Sequence, residues 1–225
     1  MLVKDIILDR ITNLAMVKMY YVRHGQAHHN QLFNKIGAAA YKDPSVTDSG
    51  LTVMGMQQAE ELRERYSGIE AVSLVLVSPL IRCLQTMETM IQGGSHRPRV
   101  VALDHLIEWE ASDTPNHRKN VRELEQRFPS VDFSNVQSVR DAPRTDTITD
   151  LEKRVESFRS FVALLDKNEK VIVVGHTSWL NQLLFGDVTR KDLKHAHIYE
   201  ARDDGLFDIT DSHPLSGEAS DGQAP

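Results

Sequence analysis

The stretch Met19–Asn30, "MYYVRHGQAHHN", joins a short apolar run to a cluster of three histidines and an arginine. Its apolar half does not alternate with polar residues, which suits a strand covered on both faces, as in the middle of a parallel sheet. Two further runs share this character, "VSLVLV" at 72–77 and "VIVV" at 171–174. Patterns of helical period separate the three. Gly55, Ala59, Leu62 and Tyr66 form one stripe within 52–66, and Leu80, Leu84, Met87 and Ile91 form another within 79–92. Thr149 and Glu152 are spaced as a capping box, with Leu151, Val155, Phe158, Val162 and Leu165 on one face after them. Strands alternating with amphipathic helices predict an α/β sheet.

The whole chain is compatible with that reading. Its 225 residues suit one domain with a sizeable core. The formal charge of -6 and the lack of a basic block give no support to nucleic-acid or membrane-surface binding. A lone cysteine, Cys83, excludes an internal disulfide and fits a reducing compartment. At the N-terminus, Asp5, Asp9 and Arg10 interrupt the apolar residues, so no signal peptide is expected. Ile7, Ile11 and Leu14 instead predict a short amphipathic helix. No stretch has the length of a membrane span, and a cytoplasmic protein is the expectation. Between about 93 and 148, Pro98, Pro115, Pro129 and Pro143 break the pattern, and "NVRELEQRF" reads as a short helix. This stretch is expected to be a cap inserted into a single domain over 1–210. The small, polar tail 211–225 reads as disordered.

The charged residues follow the apolar runs. After Val22 come Arg23, His24 and Gly25; after Val77 come Ser78 and Pro79, with Arg82 in the first turn of a helix; after Val174 come Gly175 and His176. Ligands of open parallel sheets bind beyond the carboxyl ends of the strands, so these residues converge on one site. The set suits a phosphate. Arginine forks match its oxygens, and a helix opened by Ser78 and Pro79 offers free N–H groups and a favourable dipole. Gly25 and Gly175 would let the backbone approach closely beside each histidine. An imidazole kept neutral by nearby positive charge can attack phosphorus.

Four segments, in this order, resemble the histidine phosphatase superfamily, also called phosphoglycerate mutase-like: "VRHGQAHHN", "LTVMGMQQAEEL", "VLVSPLIRCLQT" and "VIVVGHTSWL". Together they cover about 18–185. The resemblance implies a three-layer α/β/α sandwich with a mostly parallel central sheet and a small inserted cap. It also implies that His24 is the nucleophile that becomes phosphohistidine, with Arg23, Arg82 and His176 holding the phosphoryl oxygens. A carboxylic acid after the second strand would protonate the leaving oxygen. In "DHLIEWEASD" the alignment selects Glu108, with Glu110 the alternative two residues on, and a general acid needs a raised pKa in a partly enclosed site. The same carboxylate would activate the water that hydrolyses phosphohistidine. Asn30 matches a family asparagine near the phosphate, although it also suits helix initiation. Thr177, where Ser or Gly is usual, would reach the phosphate or cap the next helix, and Gln26 stands where many members have Glu. Arg118 is a candidate substrate contact from the cap, oriented by Asp113. The implied partner is a small-molecule phosphomonoester, with no metal, cofactor, nucleic acid or membrane.

The mutases of this family carry L-N-E-R-x-Y-G around the acid, whereas this chain has "LIEWEASD". "SDTPNHR" and "RFPSVDFS" are more similar to a phosphatase branch of plants and fungi, with Ser112 in place of its common Cys. The expected activity is therefore a phosphomonoesterase on small phosphorylated metabolites, the alternatives being a phosphoglycerate-type mutase or a pseudophosphatase that binds phospho-ligands. A metal-dependent hydrolase is the rival from outside the family. His28 and His29 are adjacent and face different directions, and His195 and His197 read as strand residues without a carboxylate cluster beside them. Cys83 beside Arg82 reads as a small buried helix residue rather than a reactive thiol.

Overall fold

The computed structural model describes residues 17–94, 96–109, 113–137, 146–202 and 205–211. The expected N-terminal helix, Glu110, Ser112, Pro143 and the tail from 212 onward lie outside the described residues.

Six strands form one sheet: β1 (Lys18–Arg23), β2 (Leu74–Val77), β3 (Arg99–Ala102), β4 (Lys170–Gly175), β5 (Ile198–Arg202) and β6 (Gly205–Asp208). Their order is β3-β2-β4-β1-β5-β6. β1 to β4 run parallel, while β5 pairs antiparallel with β1 and with β6. The apolar runs at 19–22, 72–77 and 171–174 thus become the three central parallel strands, buried on both faces as their composition requires. Register then positions the site. Arg23 lies beside Gly175 and Val77 beside Val174, so β1, β2 and β4 end level with one another.

Alternate residues of these strands face opposite cores. Tyr20, Val22, Val75, Val77, Ile172 and Val174 pack with Leu62 of α2 (Val53–Arg65), Leu84 and Met87 of α3 (Ile81–Ile91), and Leu124 of α4 (Val121–Arg127). Met19, Tyr21, Leu74, Leu76, Val171 and Val173 pack with Leu151 and Phe158 of α5 (Ile148–Val162) and Trp179 and Leu183 of α6 (Thr177–Phe185). A further helix, α1 (His28–Ile36), follows β1 directly. The result is a three-layer α/β/α sandwich.

Several expectations shift in detail. Inside the stretch expected as an inserted cap, β3 is the edge strand of the main sheet, and Val121, Leu124, Phe128, Val131, Phe133 and Val136 belong to its first core. Four residues of "RVVA" are too few to show a period. Helix α5 starts two residues before the expected box: Thr147 is its N-cap, its hydroxyl accepting from Asp150 N while Asp150 Oδ2 accepts from Thr147 N. His195 and His197 precede β5 rather than lying within it, and Ala196 between them has φ 50°. Among the described residues no helix is long and apolar enough to cross a membrane.

Candidate active site

The level ends of β1, β2 and β4 deliver Arg23 and His24, Ser78, and His176 to one edge of the sheet. There a pocket of about 230 Å³ is lined by Arg23, His24, Asn30, Arg82, Glu108 and Thr177, six of the residues singled out in the sequence. His176 is fully buried just behind it, its ring 5.2 Å from that of His24 in an edge-on contact.

His24 is held in one tautomer. Its Nδ1 lies 2.7 Å from the carbonyl oxygen of Gly25, which can only accept, so Nδ1 carries the proton and Nε2 keeps its lone pair. Burial, and then the charge of Arg82, hold the imidazole well below its ordinary pKa. The loop beside it is fixed by the motif residues on α2 and α3. Gly25 N donates to Thr86 Oγ1 at 2.9 Å, and Gln26 N donates to Gln58 Oε1 at 2.9 Å. Thr52 caps α2 by accepting from Gly55 N, and its hydroxyl donates to Gln26 Oε1. A side chain on Gly25 would sit 2.5 Å from Gly55 O, and one on Gly55 would sit 2.0 Å from Gln26 O, so both glycines allow a backbone-to-backbone approach. At Gly175 a Cβ would meet nothing within 4 Å, so the close approach expected there does not occur.

Arg82 is 1% exposed. Its Nη1 donates to Pro115 O at 2.7 Å, and its Nη2 donates to Asn116 Oδ1 at 2.8 Å and to His176 Nδ1 at 3.3 Å. Because Nδ1 of His176 accepts, its Nε2 carries the proton and donates to Ser78 Oγ at 2.9 Å. Arg23 Nη1 donates to Leu193 O and to Asp192 Oδ1. Cys83 packs 3.5 Å from His176 Nε2, and burial pushes its thiol up to about 12, which makes it the inert core residue its position predicts.

The free N–H groups expected at the start of α3 are partly taken. Asp48, 2% exposed, accepts from Ile81 N through Oδ1 and from Lys119 N through Oδ2. Glu108 plays the same part for α6: Oε1 accepts from Trp179 N and Trp109 N, and Oε2 from Ser178 N. These bonds and Arg82 favour its ionised form, but burial outweighs them and raises its pKa. Thr177 therefore does not cap α6, and its hydroxyl is left without a partner. Asn30 does begin a helix, its Oδ1 accepting from Ala27 N, while the residue still lines the pocket. Arg118 lies elsewhere: its guanidinium is buried against Asp104, Lys119 O and Gln137 O, and Asp113 pairs with Lys42 instead.

Tyr41, Trp109, Asn116 and two histidines complete the site without having been singled out for it in the sequence. His29 lines the pocket 5.8 Å from His24, with Nδ1 on Ser49 Oγ, and burial pushes it down to about 2. His195 Nδ1 donates to His24 O at 2.9 Å, and burial lowers it to about 4. His197 turns away to Asp208. Only the place of His29 within the segment "VRHGQAHHN" hinted at its role; His195 arrives through the pairing of β5 with β1. Among the described residues, Arg23 Nε, Arg82 Nε, Trp109 Nε1 and Thr177 Oγ1 are buried without hydrogen-bond partners, and all four residues line the pocket. Unpaired buried donors around one cavity are suited to an oxyanion.

Comparison with known proteins bears on the family and the fold. The chain is 27% identical over 212 residues to a phosphoglycerate mutase-like protein of Arabidopsis thaliana, covering 78% of this chain and 77% of that one. It is 28% identical over 195 residues to phosphoglycerate mutase-like protein 1 of the same plant, covering 72% and 68%. Its fold is similar to that of the ecdysone phosphate phosphatase of Bombix mori, solved with tungstate, at a TM-score of 0.61 and 17% identity over 93% of this chain and 98% of that one. It is also similar to the phosphoserine phosphatase of Entamoeba histolytica, solved with phosphoserine, at a TM-score of 0.53 and 19% identity over 85% and 94%. With residues 19–202 matched by the family model for the histidine phosphatase superfamily, branch 1, the chain belongs to that superfamily.

Proposed function

We propose that the protein is a metal-independent phosphomonoesterase that passes the phosphoryl group of a small phosphorylated metabolite through His24. The observation that carries this reading is that four residues lining the pocket with His24 each hold a buried donor without a hydrogen-bond partner. A phosphate in that pocket would take hydrogen bonds from Arg23, Arg82 and Thr177, and the Nε2 lone pair of His24 would attack phosphorus. As the N–P bond forms, the ester P–O bond breaks and its oxygen takes the proton of Glu108. Water then attacks the phosphohistidine, Glu108 accepts a proton from it, and the N–P bond breaks to release phosphate. His176, donating to Ser78 and accepting from Arg82, holds that guanidinium beside the transferring group.

The test is phosphate release from a panel of phosphomonoesters in excess EDTA. Wild type is expected to release phosphate undiminished by chelation, and His24→Ala to lose roughly 10⁴-fold or more of kcat. Activity that EDTA removes, or that survives His24→Ala, would sink the proposal. A phosphomutase would instead move the group between phosphoglycerates without net release.

A further inference from the structure

One part of the pocket wall is built from two turns held together, one of which also accepts from Arg82 through Pro115 O and Asn116 Oδ1. Lys42 Nζ, on the turn 37–42, donates to Asp113 Oδ1 at 2.8 Å, on the segment that leads into the turn 114–116. Asn116 Nδ2 donates to Trp109 O at 3.0 Å. Tyr41, Trp109 and Asp113 all line the same pocket as His24.

Building on the phosphomonoesterase reading, we propose that the substrate is the phosphate ester of a small amino alcohol, its ammonium end held by the Asp113 carboxylate beside the rings of Trp109 and Tyr41. Charge is the first argument. Among the described lining residues the only arginines, Arg23 and Arg82, are those assigned to the phosphoryl group, and the other charged side chains are Glu108 and Asp113. Among the described residues, a second phosphate or a carboxylate on the substrate would meet no lining cation beyond these two arginines and would face Asp113. The basic residues described in the stretch 93–148 do not change this. Arg99 pairs with Glu169, Arg118 is buried on Asp104, and Arg97, Lys119, Arg122 and Arg127 are exposed without lining the pocket.

Asp113 is the second argument. Its side chain is 11% exposed, and Lys42 occupies one of its oxygens while lying largely in solvent itself. An ionised carboxylate offers about four acceptor positions, so a further donor can be taken, and an ammonium adds charge to the bond. Aromatic rings beside a carboxylate suit an ammonium for the same electrostatic reason, since their faces are negative. Size is the third argument. A pocket of about 230 Å³ is smaller than the roughly 300–1,000 Å³ that hold drug-sized ligands, so the alcohol is compact.

The test compares kcat/KM for phosphoethanolamine and 3-phosphoglycerate, with glycerol 2-phosphate as a neutral reference. Wild type is expected to favour phosphoethanolamine, and Asp113→Asn to lower the ratio of phosphoethanolamine to 3-phosphoglycerate by about 10- to 100-fold, mainly through KM. Lys42→Ala, which removes the competing cation and leaves the carboxylate, is expected to raise the ratio. Calorimetric Kd values on His24→Ala give the same comparison without turnover. A wild-type ratio near unity, or one that Asp113→Asn leaves unmoved, overturns the amino-alcohol assignment while hydrolysis of glycerol 2-phosphate keeps the phosphomonoesterase. Absence of both hydrolysis and inorganic-phosphate binding would overturn both readings.

Discussion

The Nδ1–H of His24 is held by the carbonyl of its own neighbour, Gly25, while Arg82 and the surrounding core keep the ring neutral. Glu108 is pushed the other way, its burial raising the pKa although Arg82 and three N–H groups oppose it. A base shifted toward its unprotonated form and an acid shifted toward its protonated form are what the proposed transfer requires. The signs fix the pH profile. With the His24 pKa depressed, the acid limb that a free imidazole would give near 6.5 moves downward; with the Glu108 pKa raised, activity persists to higher pH than an ordinary carboxyl allows and then falls as Glu108 ionises. Glu108→Gln is expected to lower kcat by about 10²- to 10⁴-fold and to abolish the alkaline limb, read from kcat/KM across pH. At this scale the sequence was informative for Arg23, His24, Arg82 and Glu108, which adjoin recognisable segments. It was not for Arg118: a cap arginine facing substrate and one buried on Asp104 look identical until the chain is folded.

At the scale of elements, two of the helices that meet the site, α3 and α6, are each capped by a distant carboxylate. Asp48 accepts from the first N–H of α3, and Glu108 accepts from the first turn of α6. The dipoles of both helices therefore act first on protein carboxylates and only then on a ligand. Asp48 also adopts φ 42°, a conformation that aspartate and asparagine tolerate better than alanine. Asp48→Ala removes a helix cap, leaves Lys119 N–H unpaired and places alanine in the left-handed region. Together these should cost about 2–4 kcal/mol in urea unfolding, with Asp48→Asn losing less. Helix positions were legible from the stripes of α2, α3 and α5. Their caps were not, because Asp48 and Glu108 reach the helices through space from loops that carry no capping pattern.

For the whole molecule, the buried and half-buried histidines set the acid limit. His24, His29, His176 and His195 are all depressed, chiefly by burial, with His29 at about 2 and His195 at about 4. In the unfolded chain each takes a proton near pH 6.5. Their contribution to stability is therefore complete above that pH and is lost as pH falls from it toward the folded values, the unfolded state binding more protons. Each group adds a slope of up to about 1.4 kcal/mol per pH unit. Asp48 and Glu108, raised by burial, act with the opposite sign: their stabilisation is present below the ordinary carboxyl pKa and is lost as pH rises through the folded one. The histidines outnumber them, so the urea midpoint should fall steadily from pH 7 to pH 5. A midpoint flat across that window would show that these imidazoles are not held neutral.

By itself the sequence determined the parallel centre of the sheet, the helical stripes that cover it and the arginines and histidines placed at the strand ends. Those features are local: a doubly buried strand needs an unbroken apolar run, and a phosphate corner needs arginine and histidine where that run stops. Only the tertiary structure decided that β3 joins the sheet from within the expected cap, that His195 supports His24 from across the β1–β5 pairing, and that Asp113 faces the pocket while Arg118 does not. The physical reason is that a buried charge takes whichever partner folding brings within about 3 Å, and residues 71 positions apart, such as Lys42 and Asp113, leave no trace of that meeting in local periodicity.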